Sequence, residues 1–289
     1  MAHKILPNIR FPTLGGQQLW LDVYFFAGWR IQKNILMKHH RLLNPKNIRY
    51  AWGSYKACLA VFTRLKKSFR LSNPDAHLVL MVHGMAGGRE TFFFMKRALV
   101  KRGYFADAYN YPSLKETLES QARDLVNFLN TLERVKEITL IGHSQGGLVI
   151  RKALEMNAPW RQRIELIGLI FIGTPNQGAA MADFSKRLKA LDIFAPKVRD
   201  QLTKSYAKTL APIKVRTGLI AGTTNPGKGI NPVIEGDDDG IVGVEEVWLE
   251  GHNDRLVVRS DHFTLANRRK TIVAVMRFLE GKCLSEPET

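Results

Sequence analysis

A serine stands at the centre of the pentapeptide Gly-His-Ser-Gln-Gly, residues 142–146. The apolar run 138–141 before it is typical of a β-strand, and residues 147–156 after it are typical of a helix. A strand that turns directly into a helix presents the central serine on a strained turn, and flanking glycines let the two backbones pass closely. The pattern therefore predicts that Ser144 is an exposed nucleophile for acyl transfer.

A nucleophilic serine needs a histidine that accepts its proton. In hydrolases with this strand–serine–helix turn, an acid and then a histidine follow the serine along the chain, which leaves His252 and His262. His262 follows the apolar run 256–258 by a short loop, so it is expected at the same edge of the sheet as Ser144. His252 precedes that run and is expected in a surface loop at the opposite edge. His262 is therefore the predicted general base.

The acid that orients this histidine is expected between Ser144 and His262. Residues 235–242, Glu-Gly-Asp-Asp-Asp-Gly-Ile-Val, supply several carboxylates there. Asp239 is favoured because it directly precedes a glycine and an apolar pair, where the chain can fix its carboxylate; Asp238 is the alternative. An exposed acidic loop or a weak calcium site is the ordinary explanation for such a run.

A glycine-rich stretch, residues 82–88 with the sequence Val-His-Gly-Met-Ala-Gly-Gly, follows the first predicted strand of the sheet. Glycines allow the backbone to approach a substrate carbonyl, so the N–H of Met85 is predicted to pair with the N–H of Gln145 as an oxyanion hole. His83 is expected to brace this loop. A phosphate-binding loop is not favoured, because neither a following Lys-Ser or Lys-Thr pair nor Gly-x-Gly-x-x-Gly spacing is present.

The elements that would position these residues alternate between short apolar strands and longer amphipathic segments beyond residue 73. This alternation predicts an α/β fold with a mostly parallel sheet flanked by helices. The predicted strands are 78–82, 105–109, 138–141, 164–172, 215–221 and 255–258, and the predicted helices include 114–135 and 267–279. A helical, basic and amphipathic insertion at about 179–212 interrupts this order. It is expected to form a cap over the site or to add packing only.

The first quarter of the chain is basic and aromatic. Residues 1–70 contain 13 Lys and Arg against one acidic residue, Asp22, and 11 of the 27 aromatic residues. Residues 1–73 are therefore treated as an N-terminal extension of a domain at 74–282. The extension is expected either to pack its aromatic residues on the domain or to contact an anionic membrane surface, and nucleic acid is not favoured. The apolar run 19–29 is too short to span a bilayer.

Together these motifs resemble the α/β-hydrolase superfamily, and within it bacterial lipases and esterases and the inositol-deacylase type of lipase. The resemblance covers residues 76–280 and rests on residues 82–85, 142–147, 173–178, 239–242 and 261–263. It implies that Ser144, Asp239 and His262 form a catalytic triad. It also implies that Met85 and Gln145 supply the oxyanion donors. Asn176 departs from the histidine common in that group.

The resemblance implies a serine-dependent carboxylic ester hydrolase that acts through an acyl-enzyme on lipid-like esters. The alternatives are an acyltransferase that uses the same serine and a non-catalytic membrane-binding or adaptor module on a hydrolase scaffold. No cofactor and no metal are expected. Two cysteines without disulfide or metal spacing, and an amino terminus without the pattern of a secretory signal, favour the cytoplasm, with peripheral contact at the inner face of the membrane.

Overall fold

The computed structural model describes residues 10–73, 76–187 and 200–286, and these residues form two β-sheets. The first sheet is antiparallel, with the order β1-β5-β4-β3-β2. Its strands are β1 (Phe11–Pro12), β2 (Trp20–Phe26), β3 (Trp29–Asn34), β4 (His40–Leu43) and β5 (Ile48–Gly53). The second sheet contains β6 (Ala76–Val82), β7 (Phe105–Tyr109), β8 (Val135–His143), β9 (Glu165–Ile172), β10 (Thr217–Thr223) and β11 (Arg255–Arg259).

The helices lie between these strands. They are α1 (Tyr55–Ser68), α2 (Phe93–Lys101), α3 (Leu118–Asn130), α4 (Gln145–Leu154), α5 (Ala180–Arg187), α6 (Lys204–Ala207), α7 (Val244–Val247) and α8 (Arg269–Leu279). Short 3-10 segments occupy Gln17–Leu19, Arg89–Phe92, Pro159–Gln162, Asp200–Leu202 and Leu265–Asn267.

The second sheet is parallel throughout and has the order β11-β10-β9-β8-β6-β7. The chain leaves β6 toward β7 on one side and returns to β8 on the other, so the strand order reverses between β6 and β8. In open parallel sheets this switch point forms a crevice at the carboxyl ends of the strands, where ligands bind. The predicted α/β fold with a mostly parallel sheet flanked by helices is confirmed.

Both faces of the parallel sheet are buried, as β6 shows. Leu78, Leu80 and Val82 pack in one apolar cluster with residues of α3 and α4. The alternate residues Val79 and Met81 pack in a second cluster with residues of α2 and α8. Each fully buried side chain of this size stabilises the fold by about 1.5–3 kcal/mol. The continuous apolar character of β6 follows from this burial on two faces.

The first quarter of the chain is folded as the antiparallel sheet and α1, an arrangement that the sequence analysis did not predict. The backbone N–H of Asp22 in β2 donates to the carbonyl of Asn110, just beyond β7, at 2.9 Å. The Asn110 N–H donates in return to the Asp22 carboxylate at 2.9 Å. Phe25 of β2 packs against Phe128 of α3. The antiparallel sheet therefore lies against the outer edge of the parallel sheet.

A buried group of charges fixes this junction. Arg89 is paired with Asp107 of β7 and lies 3.5 Å from the Asp22 carboxylate. Arg30 of β3 lies 3.8 Å from the same carboxylate, and Lys96 of α2 lies 2.5 Å from Asp107. Burial raises the pKa of Asp107, but Arg89 and Lys96 outweigh it and lower that pKa to about 2. Removing one member would leave a buried charge without its counter-ion, at a cost of about 3–5 kcal/mol.

The predicted insertion is only partly within the described residues, because 188–199 lie outside them. The described parts are α5, the 3-10 turn Asp200–Leu202 and α6, where the sequence analysis expected about 30 residues of helix. Thr203 caps α6 by accepting from the N–H of Tyr206, and the Tyr206 hydroxyl donates to Glu119 in α3. Its role as a cap stays a prediction.

Candidate active site

Ser144 lies at the sharp turn between β8 and α4. Its backbone has φ 53° and ψ −130°, a left-handed conformation that is strained for any residue with a Cβ atom. A Cβ atom on Gly142 would lie 2.4 Å from Gly147 Cα, and one on Gly146 would lie 2.2 Å from the carbonyl oxygen of Val82. The turn therefore requires both glycines of the pentapeptide, because backbone passes directly beside them.

His262 lies in the loop after β11 and reaches across to Ser144. Its Nε2 is 2.9 Å from the Ser144 hydroxyl oxygen. Its backbone N–H donates to the carbonyl of Asp239 at 2.9 Å. The ring of His143 hydrogen-bonds the His262 carbonyl at 2.9 Å. Burial lowers the pKa of His143 to about 3, so its ring is neutral near pH 7 and donates through Nε2.

Asp239 completes a chain of two hydrogen bonds that ends at Ser144. Its Oδ2 accepts from His262 Nδ1 at 2.7 Å. Its Oδ1 accepts from the backbone N–H groups of Ile241 at 3.0 Å and Val242 at 2.8 Å. These two amides fix the carboxylate while leaving the other oxygen for the imidazole. A carboxylate in this position sets the tautomer with the proton on Nδ1 and leaves Nε2 free to accept the serine proton.

Asp238, the alternative acid, points elsewhere. Its Oδ2 accepts from the backbone N–H groups of Ile230 at 2.8 Å and Asn231 at 3.1 Å, and its Oδ1 accepts from Gly240 at 2.7 Å. Asp238 therefore holds the loop that carries Asp239. Asp238 and Asp239 are buried, whereas Glu235 at the start of the acidic run is exposed, so only part of the run is the exposed loop that its composition suggested. Within the described residues, no group of three His, Cys, Asp or Glu side chains is arranged to hold a metal ion.

The glycine-rich loop after β6 passes beside the serine. A Cβ atom on Gly84 would lie 2.7 Å from Ser144 Cβ, which shows how closely the two backbones approach. Met85 follows in this loop, and Gln145 is the first residue of α4. Neither backbone N–H has an acceptor among the described residues. Both are therefore available as donors next to Ser144, and the amino terminus of α4 adds the positive end of its dipole.

His83 holds the glycine-rich loop in place through its ring and its backbone carbonyl. Its Nδ1 lies 2.9 Å from the Gly84 carbonyl, and its ring stacks on Tyr111 with centroids 4.4 Å apart. The Tyr111 hydroxyl donates to the His83 carbonyl at 2.7 Å. Burial lowers the pKa of His83 to about 4, so the imidazole is neutral near pH 7. Nδ1 accordingly donates to Gly84.

The side chains of three glutamines, for which the sequence predicts no role, hold the segments that carry Met85 and Gln145. Gln145 donates through its side chain to Gln121 Oε1 at 2.6 Å and to the Ser113 carbonyl at 3.2 Å, which fixes the start of α4. Gln18, from the N-terminal sheet, donates to the carbonyl of Gly87 at 2.8 Å. No sequence motif marks Gln18 or Gln121, since their roles depend on contacts distant in the chain.

The turn at residues 173–178 packs beside the site. A Cβ atom on Gly173, where φ is +55°, would lie 3.3 Å from Asp239 Oδ2. Asn176 is buried and donates to the carbonyl of Val247 at 2.7 Å. Its own carbonyl accepts from Arg151 of α4 at 2.7 Å. This asparagine joins α4 to α7 and leaves the triad positions untouched.

His252 lies away from these residues. It precedes β11, and its Nε2 is 3.2 Å from the carbonyl of Ile213, near the amino end of β10. The structure thus brings Ser144, Asp239 and His262 together and places His252 at the opposite edge of the sheet. No helix among the described residues is both long enough and apolar enough to cross a membrane.

The strand order, the serine turn after β8 and the histidine after β11 define the α/β-hydrolase fold. The chain belongs to the family described as a domain of unknown function (DUF7379), which matches residues 55–223. Among curated proteins, none matches the sequence significantly.

Solved structures share the fold at low sequence identity. The mature lipase BlEst2 of Bacillus licheniformis matches with a TM-score of 0.57 and 19% identity, over 74% of this chain and 94% of that one. The metagenomic carboxyl esterase MGS0156 matches with a TM-score of 0.55 and 14% identity, over 72% and 77% of the two chains. Phospholipase PlaB of Legionella pneumophila matches with a TM-score of 0.54 and 15% identity, over 73% and 60%.

Proposed function

We propose that the protein is a serine-dependent carboxylic ester hydrolase that acts through an acyl-enzyme. The observation that carries this proposal is the continuous chain of hydrogen bonds from the Ser144 hydroxyl through His262 to Asp239. A serine on a strained turn, an imidazole within reach of its hydroxyl and a buried carboxylate behind the imidazole together activate an oxygen nucleophile.

In the proposed mechanism, Nε2 of His262 accepts the Ser144 proton while the serine oxygen attacks the ester carbonyl carbon. The carbonyl oxygen becomes an oxyanion, which the N–H groups of Met85 and Gln145 stabilise. His262 then gives the proton to the leaving alcohol, and the acyl group remains on Ser144. A water molecule attacks the carbonyl carbon of this acyl-enzyme while His262 accepts its proton, and His262 passes that proton to the Ser144 oxygen as the carboxylic acid leaves. The Asp239 carboxylate holds the imidazole ring in position and stabilises the imidazolium that forms at each step.

The substrate that we propose is a lipid-like ester. The structural neighbours named above are called a lipase, a carboxyl esterase and a phospholipase, which is consistent with this class. Transfer of the acyl group to an alcohol instead of water would use the same serine. Product analysis with an added acceptor alcohol separates the two reactions, since transfer gives a new ester and hydrolysis gives only the acid.

The test uses a fluorophosphonate probe and a short-chain aryl ester with the full chain. We expect the probe to label Ser144 and the ester to be cleaved, and we expect the Ser144→Ala variant to do neither. Ser120→Ala is a matched control, since Ser120 lies in α3 outside the serine turn. Folded wild-type protein that neither reacts with the probe nor cleaves the ester would rule out the hydrolase.

A further inference from the structure

Three phenylalanine side chains are exposed in segments that follow the carboxyl ends of strands of the parallel sheet, as Ser144 does. Phe263 is 74% exposed and directly follows His262, with ring centroids 6.0 Å apart. Phe93 and Phe94, at the start of α2, are 56% and 58% exposed, and their rings lie 5.1 Å apart. We call these three residues the aromatic edge. Clustered exposed rings of this kind mark a surface that binds something, because single apolar residues account for most ordinary exposure.

Asn267 joins the two segments that carry the aromatic edge. Its Oδ1 accepts from the backbone N–H groups of Phe94 at 3.1 Å and Met95 at 3.2 Å. Its Nδ2 donates to the carbonyl of Thr91 at 2.8 Å. The start of α2 is thereby fixed to the segment that follows His262. Phe93, Phe94 and Phe263 are therefore carried by two segments that are bonded to each other, and the second of these segments also carries His262.

Basic side chains line the same grooves as two rings of the aromatic edge: Arg97 lies in the groove with Phe93, and Lys101, Arg102 and Arg269 lie in the groove with Phe94. Two grooves flank α2, with volumes of about 360 Å³ on the Phe93 side and about 540 Å³ on the Phe94 side. Acidic residues in the segments 89–102 and 261–272 are limited to Glu90 and Asp261, and Asp261 lies 3.5 Å from Arg268. The exposed basic residues of the same segments are Arg97, Lys101, Arg102, Arg268, Arg269 and Lys270.

We propose that the aromatic edge, with the basic side chains around it, docks on an anionic phospholipid membrane. Aromatic rings enter the headgroup region of a bilayer, and lysine and arginine are attracted to the phosphates of anionic lipids. Positive charge beside exposed rings favours this occupant over an uncharged apolar partner. The inference deepens the proposed function and rests on it: Ser144 opens at the same edge of the sheet, so a docked molecule meets its ester at the lipid surface.

The N-terminal quarter is less suited to this role, although it holds most of the net positive charge, +12 of the +17. Several of its aromatic rings are inside the protein, namely Tyr24, Phe25, Phe26 and Trp29. Some of its basic groups stack on its own rings, as Arg41 does over Trp20 at 3.8 Å and Lys66 over Phe26 at 3.6 Å. Tyr24, Phe26 and Trp29 pack in an apolar cluster with α1 of the same quarter, and Phe25 packs in the cluster of the parallel sheet, so these rings are not available to a membrane.

The binding test measures cosedimentation of the Ser144→Ala protein with vesicles, because this variant binds without turning over lipid. One set of vesicles contains phosphatidylcholine alone, and the other contains equal parts of phosphatidylcholine and phosphatidylglycerol. We expect binding to the anionic vesicles to be at least about tenfold tighter and to weaken as salt is added. Equal binding to both sets, or binding to neither, would overturn the proposal.

Paired variants locate the docking surface. In the Ser144→Ala background, Phe93→Ser with Phe94→Ser, and separately Arg97→Glu with Lys101→Glu, should each weaken binding to anionic vesicles by about tenfold or more. The matched apolar control is Leu36→Ser with Met37→Ser, since these side chains are 60% and 77% exposed in the turn between β3 and β4. The matched charge control is Lys56→Glu with Arg64→Glu on α1, and both controls should bind as the parent does.

If the control variants lose vesicle binding equally, binding depends on overall charge or apolarity, and the aromatic edge is rejected as the docking surface. If the protein self-associates without lipid and the phenylalanine variants abolish this self-association, the aromatic edge binds a second copy of the chain and the membrane proposal is rejected. Circular dichroism checks that each variant is folded. Hydrolysis of a soluble ester by the wild-type protein, in which Ser144 is intact, separates the two proposals. Hydrolysis without vesicle binding rejects the docking surface alone. Vesicle binding without hydrolysis rejects the hydrolase alone.

Discussion

The side-chain amide of Gln18 donates a hydrogen bond to the backbone carbonyl of Gly87 at 2.8 Å. Gln18 lies between β1 and β2 of the antiparallel sheet, and Gly87 lies in the loop that carries Met85. The same amide donates to the Ser113 hydroxyl at 3.0 Å, and Oε1 accepts from the N–H of Leu114 at 3.1 Å. One glutamine thus ties the N-terminal sheet to the proposed oxyanion loop, which makes Gln18 a positioning residue.

Replacing Gln18 with glutamate tests this role. Glutamate has nearly the same shape and keeps the acceptor for Leu114, but its carboxylate cannot donate to Gly87. We expect kcat for a short-chain aryl ester to fall about tenfold, because the loss of a full oxyanion donor costs roughly 100- to 1000-fold and this change only displaces one. KM should change less than about twofold, since the change acts on transition-state stabilisation.

The control is Leu14→Ala, which removes an exposed side chain from the same segment. Urea unfolding of both variants separates positioning from stability. A rise in KM with unchanged kcat, or an equal loss of activity in the Leu14 variant, would contradict the positioning role of Gln18.

Asp239 and Asp238 provide a comparison of two buried neighbours with different contacts. Asp239→Asn should lower kcat by about ten-thousand-fold, because an amide at this position favours the wrong imidazole tautomer. Asp238→Asn should keep kcat within about tenfold, since that carboxylate contacts only loop amides. It should lower the free energy of unfolding by about 1–3 kcal/mol through its weakened hydrogen bonds. Steady-state kinetics measure kcat, and urea unfolding measures the free energy of unfolding of each variant. A folded but inactive Asp238 variant beside an active Asp239 variant would show that Asp238 is the acid that orients His262.

Gly84 tests how closely the oxyanion loop must approach the serine. In Gly84→Ala the new Cβ would meet Ser144 Cβ at 2.7 Å, so the loop and the serine must move apart. We expect labelling by a fluorophosphonate probe to slow by at least about tenfold, as misplacement by an ångström is costly in an active site. Gly88→Ala is the matched control, since the one close neighbour of its Cβ would be the end of the Glu90 side chain at 2.7 Å, with Asn110 and Gln17 at 3.7 Å or more. Equal labelling rates for the two variants would contradict the close approach.

The parallel sheet could be predicted from the sequence because its strands are buried on both faces. Such strands are mostly apolar runs: β9 differs from its prediction by one residue, and β7 has the predicted bounds although it carries the buried Asp107. Ser144 and His262 follow the carboxyl ends of two of these strands. The predicted strands therefore placed both residues at the same edge of the sheet, as their proposed chemistry requires. The choice of Asp239 over Asp238 used the same logic, because the turn into an apolar pair fixes that carboxylate.

The antiparallel sheet could not be predicted, because polar residues face inward in its strands. In β3, Arg30 and Gln32 are buried beside Ile31, so the polar positions are no more exposed than the apolar ones. Gln32 is satisfied by the Asp22 carboxylate and by the Gly15 carbonyl, each at 2.7 Å. Such burial depends on partners that are distant in sequence. The alternation of buried apolar and exposed polar residues, which identifies a strand with one face in solvent, is therefore absent from β3.

Two buried imidazoles give the folded protein a pH dependence with a definite sign. Burial lowers the pKa of His143 to about 3 and of His83 to about 4, from an ordinary value of 6.5. Below pH 6.5 the unfolded chain therefore binds protons that the folded protein does not, so the free energy of unfolding decreases as the pH falls toward 4. The decrease is at most about 1.4 kcal/mol per pH unit for each histidine. Urea unfolding across this interval should show a shallower decrease in His143→Asn, which cannot be protonated there; parallel decreases in wild type and variant would show that His143 is not the source.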